Sequence, residues 1–307
     1  MTRHARVGSG SATETVGLSE SAPAIRFAIS WAIAISAALW PAEAVAATLK
    51  QETLQAWEEY IQADAMTQRQ RVRPGGCFLW TDQTRERAAA VRQGEIVVAP
   101  AGPGIPKKIP SGLVHHWIGA EFLQGVTIAD ALAVLRDYAR YKDFYSPAVA
   151  DSQTASLDDS GDRFSMVLTN KLRFHKLAVD ADYRIQYFRV DARRVYSISQ
   201  TTRIQEIVHY GTAAQYTLPE GEGTGYIWRL YSISRFEQRD GGLYVEVELM
   251  ALSRDIPSGL HFVVEPIVRR TSRESLIGML RQTGDAVHSM EASTNRNGHA
   301  ATLRSNH

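Results

Sequence analysis

The chain is expected to fold as α+β, a curved antiparallel sheet closed by a long C-terminal helix, with a helical extension at the N-terminus. Three observations lead there. From Val149 to Ser253 nearly every segment has strand character and is bounded by turn residues. A single strand and a short helix precede that block, and one long amphipathic helix follows it. The last two strands read as a hairpin whose faces separate into an apolar set and a charged set.

Taken in order, Phe27–Trp40 is an uncharged run of 14 residues behind Arg26 and ahead of Pro41, Ala42, Glu43 and Ala44. A basic flank, a short apolar core, a helix breaker and a small-residue site read as a signal peptide cut after Ala46. Spanning a bilayer takes about 20 apolar residues, and Pro41 and Glu43 interrupt this run first. An uncleaved membrane anchor is the competing reading. No Asn-x-Ser/Thr sequon occurs, which favours a bacterial periplasm over a eukaryotic secretory route.

Leu49 to Gln70 is predicted helical, with Leu54, Trp57, Ile61 and Ala65 at spacings of three and four. Pro74, Gly75 and Gly76 end it. Cys77–Trp80 and Glu95–Ala99 are short apolar runs expected as strands. The Pro- and Gly-rich stretch Pro100–Pro106 is expected to be a linker. These features divide the chain into a signal peptide (1–46), an extension (47–104), a main domain (105–285) and a disordered tail (286–307).

Within the main domain, Leu113–Phe122 reads as a strand with Val114, His116, Ile118, Ala120 and Phe122 on one face. Thr127 is expected to cap the next helix with Asp130 three residues on. The strands are then Val149–Ser156, Arg163–Leu172, Ala178–Val190, Arg193–Ile207, Tyr226–Gln238 and Leu243–Ser253. Asp240, Gly241 and Gly242 are a hairpin signal. Pairing Gln238 with Leu243 puts Trp228, Leu230, Ser232, Ser234, Phe236, Val245, Val247, Leu249 and Ala251 on one face. The other face carries Arg229, Tyr231, Arg235, Glu237, Tyr244, Glu246 and Glu248, with Arg235 opposite Glu246. The first face, apolar but partly small, is expected to line a cavity. The closing helix should run to about Thr283 with Leu260, Val264, Ile267, Thr271, Leu276, Met279 and Leu280 as its stripe, bent or restarted at Pro266.

This order, with Ala131–Tyr138 running into Tyr145, Ser146 and Pro147 and with Leu252–Gly259 before the closing helix, resembles the START-like, or SRPBCC, helix-grip superfamily. The coenzyme-Q-binding and polyketide-cyclase branch is the nearest in pattern, and the resemblance covers about residues 105–285. It implies a groove between sheet and helix for a lipid, quinone, polyketide or similar ligand. A few branches of the superfamily are enzymes, and the fold carries no common catalytic motif.

Other function classes find little support. A net charge of +1 argues against a nucleic-acid surface, and the lone Cys77 cannot form an intramolecular disulfide. His115 and His116 point to opposite faces of a strand and cannot share one metal, so no metal site and no cofactor are expected. Ser232 and Ser234 lie in mid-strand, without a nucleophile elbow. The glycines of Gly221–Gly225 lack the Lys of a phosphate loop. Arg193, Arg194, Arg269, Arg270 and Arg273 form short basic runs, read first as solvated faces and second as peripheral contacts to anionic lipid. Glu248 and Arg229 are a pair to watch if the extension covers the outer sheet face. The expected ligand-binding residues are His116, Tyr187, Trp228, Ser232, Phe236 and Val247, with no catalytic residue assigned. The expected function is a monomeric binding or carrier protein for an apolar molecule or lipid. The alternative is a cyclase-type enzyme using His116 with Tyr187 or Tyr226 as acid–base partners.

Overall fold

The computed structural model describes residues 47–158, 160–172, 175–256 and 261–305. The expected signal peptide and Leu260 lie outside these residues, as does the side chain of Val264. In chain order the elements are β1 (Ala47–Thr48), α1 (Gln51–Arg71), α2 (Arg85–Arg92), β2 (Val97–Pro100), β3 (Lys107–Ile109), β4 (Gly112–Gln124), α3 (Ile128–Leu135) and α4 (Tyr141–Phe144). There follow β5 (Val149–Ser156), β6 (Asp162–Leu172), β7 (His175–Arg189), β8 (Arg194–Val208), β9 (Tyr216–Thr217), β10 (Glu222–Gly223), β11 (Arg229–Arg239), β12 (Gly242–Arg254) and α5 (His261–Ser305). No helix among the described residues is long and apolar enough to cross a membrane.

One antiparallel sheet organises the molecule, in the order β2-β4-β12-β11-β8-β7-β6-β5, with β3 also on β4 and β9 on β8. It is not closed into a barrel, since β2 and β5 end the path without pairing to each other. β11 and β12 pair in the expected register, Gln238 opposite Leu243 and Arg235 opposite Glu246. Their connection has positive φ at both Asp240 (56°) and Gly241 (78°), the twist that a two-residue hairpin needs. Thr127 and Asp130 form the full capping box at the start of α3.

Both faces of the sheet are covered. α5 crosses one of them, and it comes close to β4 because Gly119 has no side chain. A Cβ there would lie 2.9 Å from Leu280 and 2.8 Å from Val98. Gly284 meets Leu123 in the same way, at 2.9 Å. α1 covers the opposite face, where Trp57 packs with Val114, Ile233, Met250 and Leu252.

Several expectations need correction. Cys77–Trp80 is not a strand; it leads into a 3-10 turn at Trp80–Gln83. The charged segment behind it forms α2, capped by Thr84. The stretch Pro100–Pro106 is a loop as expected, but it joins β2 and β3, which both pair with β4 in the main sheet. In the apolar stripe of α5, Leu276, Met279 and Leu280 are buried as expected, but Val268 is fully buried in place of Ile267, which is 41% exposed. α5 also continues past Thr283 to Ser305, so the backbone expected to be disordered from 286 is helical. Ala286 and Val287 are buried and extend the apolar stripe beyond the residues used to predict its end.

Candidate functional site

The hairpin faces decide where a cavity can be. Leu230, Ser232, Ser234 and Phe236 of β11 and Val245, Val247 and Leu249 of β12 all project to the α5 side, where they floor a cavity of about 110 Å³. That is several times the ~10–15 Å³ that admits one water. Met279 and Thr283 of α5 form its roof. One wall is an aromatic stack: Phe164 lies between Tyr138 and Tyr183 with centroid separations of 4.4 and 4.9 Å and nearly parallel planes. The lining is mainly apolar, as ligand pockets are.

Its polar groups are few and fixed. Ser232 sits directly across from Ser199, and Ser234 from Ser197, giving a short hydroxyl row on the cavity floor. Tyr187 lines the cavity and its hydroxyl lies 3.2 Å from both the Tyr138 hydroxyl and the Leu135 carbonyl oxygen. Tyr138 in turn donates to Asp162 at 2.7 Å, and Arg136 holds that carboxylate in a fork at 2.9 and 3.0 Å. The Tyr145 hydroxyl lies 3.0 Å from Thr283 Oγ1, joining the α4 segment to the roof. Burial raises the pKa of each of these tyrosines, Tyr145 to about 12, so they are neutral hydrogen-bonding groups at physiological pH.

Four of the six expected ligand-binding residues therefore meet: Tyr187, Ser232, Phe236 and Val247. The other two do not. Trp228 precedes β11 and packs with Trp57 in the cluster under α1. His116 lies on the outer face, across the sheet from the cavity. His115 is the inward residue, fully buried with Nε2 3.0 Å from Ser253 Oγ, and burial lowers its pKa to about 3. Tyr226, the alternative acid–base partner of the cyclase-type reading, accepts from Asn170 at 2.9 Å. It lies away from His116 and outside the main cavity's lining.

On the outer face, sequence reasoning missed a second pocket, about 650 Å³, between α1 and the sheet. Its base is a buried polar network. His116 bridges the Tyr60 hydroxyl (2.8 Å from Nδ1) and Glu248 Oε1 (2.8 Å from Nε2). Arg235 donates to Glu246 at 3.1 Å and to Glu248 at 3.0 Å, and Arg71 reaches both carboxylates from the last turn of α1. The extension does cover this face, but Arg229 pairs with Glu220 instead of Glu248. Burial works to raise the Glu248 pKa, yet the His116 hydrogen bond and the Arg235 and Arg71 charges outweigh it and bring it to about 2. Asp64 is raised, by burial and then by Glu248 beside it. Burial pushes Tyr60 up to about 12.

A sheet with unpaired edges, gripping a C-terminal helix over a cavity on one face, defines the architecture. It is a START-like helix grip. No protein-family model matches this chain, and no curated protein does. Among solved structures the chain is similar to a STAR-related lipid transfer protein from Xanthomonas axonopodis at 18% identity, over 63% of this chain and 98% of that one, with a TM-score of 0.40. It is similar to human STARD10 at 9% identity, over 71% and 84%, with a TM-score of 0.40. It is also similar to the Zhui aromatase/cyclase from Streptomyces at 9% identity, over 56% and 93%, with a TM-score of 0.34.

Proposed function

We propose that this protein binds an apolar small molecule or lipid in the cavity under α5 and acts as a carrier in the cell envelope. One observation carries the reading. The cavity is mainly apolar, and its polar groups are a row of four serines with Thr283 and the tyrosines of its wall, the composition of a binding pocket. A cyclase-type reading finds less support. Among the described residues, the titratable groups lining the cavity are tyrosines, and His116, the base that reading needs, is on the far side of the sheet. Placement in the envelope rests on the segment Phe27–Ala46 alone.

The test is a fluorescence titration of the purified chain with Nile red, followed by competition with a long-chain fatty acid and with a quinone. Saturable binding at one dye per chain, reversed by a competitor, is the expected result. Dye fluorescence that never saturates, and that neither competitor reverses, would contradict the proposal.

A further inference from the structure

The outer pocket lies across the sheet from the proposed ligand cavity and is chemically unlike it. Three side chains from three elements converge at its base: Asp64 of α1, His116 of β4 and Glu248 of β12, with one ligand-type atom of each within 4.8 Å of the others. We propose that they form a binding site for a divalent transition-metal ion, zinc in the first instance.

The geometry is close to what such an ion requires. Metal–nitrogen and metal–oxygen bonds to zinc are about 2.0–2.2 Å, so neighbouring ligand atoms of a tetrahedral ion lie about 3.3–3.6 Å apart. His116 Nε2 and Glu248 Oε1 are 2.8 Å apart and need to separate only slightly to admit it. Asp64 has to close a gap of at most 4.8 Å, and it sits half-buried on a helix, where its side chain can rotate toward the pair.

The surroundings are those of a metal's outer shell. Once Nε2 binds an ion, Nδ1 carries the ring proton and donates to the Tyr60 hydroxyl, 2.8 Å away, which fixes the ring. Glu248 Oε2 is held by Arg235 and by Gln68 Nε2, both at 3.0 Å, so Oε1 is oriented toward His116. Gln68 lies between the two acidic ligands, also donating to Asp64 at 2.9 Å. Its own Oε1 is a buried acceptor with no hydrogen-bond partner.

Charge points the same way. The carboxylates of Asp64, Glu246 and Glu248 outnumber the guanidinium groups of Arg71 and Arg235, so with a neutral His116 the network carries an excess negative charge. An imidazole with two carboxylates suits zinc, iron or manganese better than calcium. Three protein ligands also make an open coordination set, with the remaining position facing the 650 Å³ pocket.

The experiment uses the untagged full chain, stripped of metal, titrated with Co²⁺ and then with Zn²⁺. The expected result is one Co²⁺ per chain with visible d–d absorption that Zn²⁺ abolishes, and a melting temperature that rises with Zn²⁺ concentration. Asp64→Asn and His116→Gln should each weaken binding at least tenfold, and Tyr60→Phe should weaken it about 10–100-fold as an outer-shell change. Glu59→Gln, at the same pocket but outside the ligand set, should bind as the parent does. His116→Gln alters a buried residue and can disturb folding, but Asp64→Asn keeps the Gln68 contact and decides the matter alone. The proposal is overturned if no absorption or stabilisation appears, if Asp64→Asn binds as tightly as the parent, or if Glu59→Gln weakens binding as much as Asp64→Asn.

Discussion

Replacing Ser232 with Leu tests whether the space under α5 is a cavity or a densely packed core. Ser232 lies in mid-strand on the cavity floor, opposite Ser199, and its side chain is only half-buried because it faces the open space. Leucine adds three carbons, each stabilising by about 0.8 kcal/mol if it is buried without strain, or about 2 kcal/mol in all. The cavity of about 110 Å³ has room for them. For a domain of this size 1 kcal/mol moves the melting temperature by about 2–4 °C, so the variant should melt about 4–8 °C higher. Overpacking a filled core costs about 1–3 kcal/mol and would lower it. The two outcomes differ in sign, and a thermal melt by circular dichroism separates them. The added side chain should also displace ligand, weakening Nile red binding at least tenfold, which corresponds to about 1.4 kcal/mol. A variant that melts several degrees lower and binds dye as the parent does would refute the reasoning.

Three further outcomes are expected. Arg235→Leu removes one of the two guanidinium groups, with Arg71, that hold Glu246 and Glu248; side chains this deeply buried should lose about 3–5 kcal/mol, and a loss below 1 kcal/mol by urea unfolding would contradict the network. Because Glu248 is held at about 2, below its ordinary 4.5, its ionised form stabilises the fold above about pH 4.5, by about 3 kcal/mol, and that stabilisation is lost as pH falls toward 2. The stability gap between the parent and Glu248→Gln should therefore shrink across that window, and a gap constant from pH 7 to pH 3 would be inconsistent with it. A chain ended after Ile256 lacks Val268, Leu276, Met279, Leu280 and Val287, and should not melt cooperatively, whereas one ended after Met290 should.

The cavity floor was legible in the sequence because local rules agreed there. Asp240 and Gly241 fix the turn, the turn fixes the register, and the register sorts Ser232, Phe236 and Val247 from Arg235 and Glu246. His116 was not legible for the opposite reason. Alternation separates His115 from His116 but cannot name the inner face when α1 buries the outer one, and Gly112–Glu121 of β4 is buried without a break. Trp228 shares the parity of Leu230, but it stands before the strand begins and turns to the other face. Cys77–Trp80 misled because four apolar residues carry no period. The Asp64–His116–Glu248 group had no local signature, its histidine and glutamate being 132 positions apart. Only the packing of α1 on the sheet brings the three together.

Native mass spectrometry of the freshly purified chain tests the central claim most directly. The account predicts a population carrying the added mass of one organic ligand, or taking up one long-chain fatty acid or quinone on incubation, with that adduct diminished in Ser232→Leu. The bare chain alone, before and after incubation, in parent and variant alike, would contradict it.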